Sequence, residues 1–282
     1  MNASLPPAQT SAARHVLSPD DKVYAALDLG TNNCRLLIAS LDQSDRSLIP
    51  SLRVHDSFSR IVRLGEGVTE SGMLSDDAME RTLSALKVCQ KKLGRFSLAS
   101  FRFVATEACR RAKNGEAFMR RIEQETGLSI TIISTEEEAH LAFMGCSSLL
   151  ASEHKQAVVF DIGGGSTEVM WVHTDDAGIR KITDWLSVNY GVMNLADKFG
   201  GSAFADRVFD DMVGYMQERI APFADMAHIC DAIEQGEVQF LSTSGTVTTL
   251  AAIHLDLPRY DRTRVDGLTV DVADIRVVTK RL

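Results

Sequence analysis

The chain has 282 residues, 45% of them hydrophobic, with 38 acidic against 30 basic side chains and a formal net charge of −8 at pH 7. That is enough apolar material for two domains of ordinary size, and the negative balance argues against nucleic acid as a partner, since a polyanion needs a local basic site or a metal ion here. No apolar run reaches membrane-spanning length and the first twenty residues lack the apolar core of a secretory signal, so no membrane contact and a cytoplasmic location are expected.

Residues 1–21 read as a disordered N-terminal tail. "AALDLGTNNCRLL", residues 25 to 37, then gives a β-run, Asp28, a Gly-led polar turn and a second β-run. A helix is expected from about Ser75 to Leu93, with Met79, Leu83, Leu86 and Leu93 on one stripe. The strand "FRFVA", a helix ending at Gly127, a strand "SITIIS" and a helix from about Glu136 to Leu150 complete a first α/β unit over 22–150. The polar linker "ASEHKQ" opens the second unit, 151–282. It reads as the hairpin "VVFDIGGGSTEVMWV", a strand near Ile182 to Val188, helices across 192–235, a strand "VQFLST" and a helix opened by "SGTVTTLAAI". The last stretch, "VADIRVVTKRL", is an amphipathic helical pattern without a cap, so the second domain is expected to be incomplete at its C-terminus.

The two hairpins match in pattern. Asp28 falls on Asp161, Gly30 on Gly163 and Arg35 on Glu168, which predicts a duplicated chain with a ligand cleft between similar halves. The five cysteines, Cys34, Cys89, Cys109, Cys146 and Cys230, are dispersed with no CxxC pair and read as buried free thiols in a reducing compartment.

Three turns carry the chemistry. Gly163, Gly164, Gly165 and Ser166 offer backbone N–H groups to an anion with no Cβ in the way, and Ser166 and Thr167 add hydroxyls. A phosphate cradle and a purely structural hairpin both satisfy that turn taken alone. Thr31, Asn32 and Asn33 after Gly30, and Ser244, Gly245 and Thr246, repeat the device at a strand end or helix start. Asp161 and Glu168 stand at opposite ends of one turn, a spacing suited to Mg²⁺, which takes one or two carboxylates and keeps waters or substrate phosphates. Arg110, at a strand end, is the phosphate candidate among the arginines, whereas Arg120 and Arg121 read as a solvated helix face. In "STEEEAHLAFMG" either Thr135 with Glu138 or Ser134 with Glu137 forms the helix cap, and the second register leaves Glu138 turned into a cleft. His140 has no partner at metal spacing.

"ALDLGTNNCRLLIA", "VRLGEGV", "TEACRRAKNG", "ISTEEEAHLAFMG", "FDIGGGSTEV" and "STSGTVTTLA", in this order, closely resemble the exopolyphosphatase and guanosine pentaphosphate phosphohydrolase (Ppx/GppA) family from about Lys22 onward. The resemblance implies a duplicated actin-like (ribonuclease H-like) α/β fold of two domains with a central interdomain cleft. It also implies Mg²⁺-dependent hydrolysis of a terminal phosphoanhydride in inorganic polyphosphate or guanosine pentaphosphate (pppGpp), with Glu138 as catalytic base and Asp161 and Glu168 serving the metal. Family members usually carry an arginine where His140 stands, continue further at the second domain, and in their long forms add a C-terminal helical domain. An actin-like kinase or ATPase, and a polyphosphate or alarmone sensor without turnover, are the alternatives on the same loops. The oligomeric state stays open, with a homodimer as one option.

Overall fold

A computed structural model describes residues 22–42, 52–200, 206–226 and 229–281; the expected N-terminal tail lies outside them. In chain order the first half contains β1 (Val23–Leu29), β2 (Asn33–Leu41), β3 (Leu52–Ile61), α1 (Val68–Ser71), α2 (Asp76–Leu93), β4 (Leu98–Ala105), α3 (Glu107–Arg111), α4 (Gly115–Thr126), β5 (Thr131–Ile132) and α5 (Thr135–Cys146). The second contains β6 (Gln156–Ile162), β7 (Thr167–Thr174), β8 (Arg180–Val188), α6 (Val192–Lys198), α7 (Asp206–Met226), α8 (Ile229–Glu234), β9 (Val238–Thr243), α9 (Gly245–His254), α10 (Arg262–Val265) and α11 (Val272–Arg281).

The expected duplication is present over four strands of each sheet. The first sheet has the order β3-β2-β1-β4-β5 and the second β8-β7-β6-β9, each an antiparallel three-strand meander, extended by two parallel strands in the first and by one in the second. Their hairpin registers correspond: Asp28 pairs with Arg35 in β1–β2, and Asp161 pairs with Glu168 in β6–β7. Side chains directly opposite one another in a ladder share a face, so each hairpin presents one charged pair at its turn.

Local sequence explains the elements that place the site. Ser75 caps α2 by accepting from the Ala78 amide, and its Leu83, Leu86, Cys89 and Leu93 face bury against the first sheet's core with Leu27, Ile38, Phe118 and Ile122. In β6 the run Ala157, Val158 and Val159 is buried on both faces, as an interior strand of a covered sheet requires. One face packs Trp171, Phe223 and Ile229, the other Phe143, Met170 and Val172.

Four sequence expectations change. The helix ending the first unit, α5, does not complete that unit; its Ala139, Phe143 and Cys146, followed by Leu150, pack on Ala157, Val159, Met170 and Val172 of the second sheet. An apolar stripe demands a cover but does not say which sheet supplies it. The helix also closes earlier, passing into a 3₁₀ turn at Ser147–Leu149. The "SITIIS" strand shrinks to Thr131–Ile132, paired with Val104 and Ala105. Cys230 is exposed, while the other four cysteines are buried. Among the described residues no helix is long and apolar enough to cross a membrane.

Candidate active site

The two hairpin turns meet nose to nose. A Cβ added to Gly164 would lie 3.2 Å from Asn32 Cβ and 3.3 Å from the Asn32 amide nitrogen, and one on Gly165 would lie 2.5 Å from Thr31 Oγ1 and 3.1 Å from Glu107 Cγ. The bare glycines are thus needed for the approach of one half of the molecule to the other. The turn is thus a structural contact between the halves, and it also lines a cleft.

Both turns dispose of their carbonyls on the far side. The Gly163 and Gly164 carbonyls accept from the amides of Val192 and Met193 at 3.0 and 2.9 Å, and the Gly165 carbonyl accepts from Asn194 Nδ2 at 2.8 Å. Because a trans peptide points its N–H opposite to its C=O, the amides of Gly164, Gly165 and Ser166 point away from α6. In the first hairpin the Thr31 carbonyl accepts from the Gly65 amide, and the Asn32 carbonyl accepts from the amides of Val62 and Arg63. This is the work of "VRLGEGV": it holds the first turn from behind. A third set of donors comes from the N-terminus of α9, preceded by Ser244 at φ 93°, a strained conformation for a residue with a side chain.

Between these walls lies a cleft of about 380 Å³, lined by Thr31, Asn32, Asn33, Gly163, Gly164, Gly165, Ser166, Ser244, Gly245 and Thr246 together with Asp28, Arg35, Glu138 and Asp161. All the phosphate-turn residues expected from the sequence are therefore brought together. Asn32 Oδ1 is buried there without a hydrogen-bond partner. The hydroxyls of Ser244 and Thr246 both donate to the Ile162 carbonyl, at 2.7 and 3.3 Å, so their contribution to an anion comes through backbone amides. Thr167 is turned elsewhere, its hydroxyl donating to the Tyr190 carbonyl at 2.8 Å.

Ser134 caps α5 by accepting from the Glu137 amide at 3.1 Å. That is the register that leaves Glu138 in the cleft wall. Glu137 does not fold back to complete a capping box; its carboxylate pairs with Arg102. Arg110, the phosphate candidate, stands among carboxylates. It lies outside the cleft lining, and its guanidinium donates to Glu107 at 2.7 Å, Glu138 Oε2 at 3.0 Å and the Ile133 carbonyl at 2.7 Å. Arg121 sits on the surface between Glu80 and Glu125, as a solvated face should.

Four carboxylates crowd this region and burial pushes each of them up. Glu138 rises to about 8, by burial and then by the charge of Glu168, with Arg110 opposing. Glu168 rises to about 7, by burial, held back by hydrogen bonds from Ser166 and Ser187. Asp28 rises by burial against the pull of Arg35, with Asp161 adding to the rise; Asp161 rises by burial against Thr243 and Arg35. An excess of carboxylate over guanidinium in a desolvated cleft is the setting a cation relieves. Asp161 lines the cleft, whereas Glu168, 1% exposed, sits behind it and accepts from Ser187 at 2.9 Å. Among the described residues no three His, Cys, Asp or Glu side chains form a ready metal cage. The carboxylates of Asp161 and Glu168 are oxygen donors of the type hard divalent cations take.

Sequence reasoning missed Asp28 and Arg35 as cleft residues, although the repeat pointed at both by aligning them with Asp161 and Glu168. It also missed Glu107, buried beneath Arg110 and Arg111.

The sequence profile of the Ppx/GppA phosphatase family matches residues 47–276. The chain belongs to that family. Among solved structures, an exopolyphosphatase-like protein superposes with a TM-score of 0.78 at 29% identity, covering 93% of this chain and 78% of the other. The Aquifex aeolicus Ppx/GppA member superposes with a TM-score of 0.70 at 27% identity, over 92% and 78%. A curated relative, the bifunctional 3-dehydroquinate synthase/phosphatase of Fusobacterium nucleatum, is 34% identical over 178 residues, which are 62% of this chain. The match spans about a quarter, 26%, of that relative's length. The Ppx/GppA fold, here a duplicated α/β pair around a cleft, is the one built.

Proposed function

We infer that this Ppx/GppA chain hydrolyses a terminal phosphoanhydride, releasing orthophosphate from inorganic polyphosphate or from pppGpp, with Glu138 as general base. The observation that carries the reading is the placement of Glu138, a buried carboxyl raised to about 8, in the wall of the cleft lined by the amide-rich turns. Its ionised form is a stronger base than an ordinary glutamate and takes a proton from water more readily, and a cation bound nearby would favour that ionised form. Arg110 occupies Oε2, so Oε1 is the oxygen left to take the proton from water. The water oxygen then bonds to the terminal phosphorus as the bridging P–O bond breaks.

The remaining work is positioning and charge neutralisation, as phosphoryl transfer requires. The amides of Gly164, Gly165 and Ser166, those at the start of α9, and Arg35 supply fixed positive potential for the phosphate oxygens. Asp161, with Glu168 behind it, would hold Mg²⁺, whose chemistry when bound is to neutralise charge developing on those oxygens. Phosphate release from long-chain polyphosphate and from pppGpp, with and without Mg²⁺, tests this reading. Release from neither substrate in the presence of Mg²⁺ would overturn it.

A further inference from the structure

A carboxylate lies buried behind the cleft wall. Glu107 opens α3 with 3% of its surface exposed, and Arg110 turns two of its nitrogens back onto a single oxygen of it, Nε at 3.2 Å and Nη2 at 2.7 Å from Oε2. That grip fixes the plane of the guanidinium. Nη1 donates to the Ile133 carbonyl at 2.7 Å and Nη2 also to Glu138 Oε2 at 3.0 Å, so four of the five N–H groups of a guanidinium are spent. Arg110 is thus a strut, held at one end by the first half of the molecule and bearing on Glu138 at the other.

The other oxygen of Glu107 is idle. Oε1 is buried with no hydrogen-bond partner among the described residues, and Arg111 Nε, at 3.8 Å, stands beyond hydrogen-bond reach. An apolar side chain would fill this space without orphaning an oxygen, so packing alone does not account for a carboxylate here. Its charge answers Arg110, whose ion pairs among the described residues are with Glu107 and Glu138. The stem matters as well, because a Cβ on Gly165 would lie 3.1 Å from Glu107 Cγ, which sets this side chain against the nose of the glycine turn. One residue therefore links that turn to the arginine that holds the candidate base.

We propose that Glu107 is a positioning residue for the hydrolysis: its carboxylate fixes Arg110, and through it Glu138, at a set place relative to the Gly163–Ser166 turn that receives the terminal phosphate. Glu107 lies outside the cleft lining, so it acts through Arg110 and not on the substrate. This rests on the hydrolase reading of the same cleft and adds the residue that registers the base to the phosphate.

The test measures kcat and KM for phosphate release from long-chain polyphosphate and pppGpp, with Mg²⁺, in the parent, Glu107→Gln, Glu107→Asp, Glu138→Gln and the pair Glu107→Gln/Glu138→Gln. Urea unfolding is followed for each, with and without Arg110→Met. Glu107→Gln keeps the stem and removes the charge, so kcat should fall by about tenfold while KM stays within about twofold. Glu107→Asp, which keeps the charge, should recover part of the loss. In the Glu138→Gln background the same Glu107→Gln change should leave the residual rate nearly unaltered, because the group it positions is gone. A role in folding alone would give equal fractional losses in both backgrounds, in step with the folded fraction. That outcome, an unchanged kcat, or a raised KM at constant kcat would overturn the proposal. If Glu107→Gln does not fold, Glu107→Asp carries the same comparison. Phosphate release by no variant, the parent included, would sink the hydrolase reading, and urea midpoints then decide the positioning: Glu107→Gln and Glu138→Gln should be non-additive with Arg110 present and additive in Arg110→Met. Additivity in both backgrounds would overturn it.

Discussion

Arg110 Nη2 donates to Glu138 Oε2 at 3.0 Å, joining α3, which follows β4 of the first sheet, to α5, which is seated on the second. The candidate base is therefore positioned by a cation from the opposite half of the molecule. Any movement of one half on the other alters this contact directly.

That relationship predicts the effect of removing the guanidinium. Arg110 holds Glu138 down by charge and hydrogen bond, against burial and Glu168. Arg110→Met should let Glu138 rise further, so that at a given pH less of it is ionised. The acid limb of the kcat/KM profile should then move to higher pH, and Arg110→Lys should restore part of the shift. A raised KM with an unmoved pH limb would instead assign Arg110 to substrate phosphate.

The adjacent glutamates separate catalysis from folding. Glu138→Gln is nearly isosteric and should lower kcat by about 10²–10⁴-fold, the usual worth of a general base, while ligand affinity measured by titration stays within a few fold. Glu137→Gln breaks an exposed pair with Arg102, a loss of about 0.2–1 kcal/mol in stability, and should leave kcat near the parent value. Interchanged outcomes would move the base to Glu137.

Much of this arrangement is legible in sequence because it repeats. The Asp-apolar-Gly pattern places both hairpins, and Ser134, Ser75 and Gly127 announce helix ends by side-chain chemistry or by glycine. β3 escapes because "LRVHDSFSRI" mixes charges into an edge strand whose residues are half-buried or exposed. The partner of α5 escapes because periodicity names a buried face without naming what buries it. Arg35 was visible in the repeat, but only the ladder register sets it against Asp28 at the cleft. The function of the third glycine required three dimensions, since its constraint is Thr31 from the other hairpin.

The raised carboxylates predict how stability depends on pH without divalent ions. Glu138 and Glu168 keep their protons to about 8 and about 7 in the folded chain, against about 4.5 for an ordinary glutamate. Between about 4.5 and 8 the folded state thus binds more protons than the unfolded one, so stability is fullest below that window and falls as pH rises through it. Asp28 and Asp161, also raised by burial, act in the same direction. Urea unfolding in chelator at pH 5, 6, 7 and 8 should give a falling free energy, and Glu138→Gln, neutral throughout, should flatten it. A parent stability that climbs across the same interval would contradict the burial of these groups.

The closing of the two hairpins on each other makes the sharpest steric prediction. At Gly165 a methyl group would meet Thr31 Oγ1 at 2.5 Å and Thr31 Cγ2 at 3.2 Å, so rotating that threonine exchanges one obstruction for the other, and Glu107 Cγ at 3.1 Å blocks the remaining side. Thr31 and Glu107 are themselves buried, which limits how far either can retreat. Gly165→Ala should therefore force the hairpin noses apart, destabilising the fold by about 1–3 kcal/mol and lowering kcat/KM through displaced amides. Gly145 in α5 is the matched control: a Cβ there meets nothing within 4 Å, and exchanging a helical glycine for alanine should stabilise by about 0.5–1 kcal/mol. Circular dichroism melts of the two variants should move in opposite directions. A Gly165→Ala protein melting with the parent and hydrolysing at its rate would mean that the glycine run serves neither the contact between the halves nor the phosphate cradle.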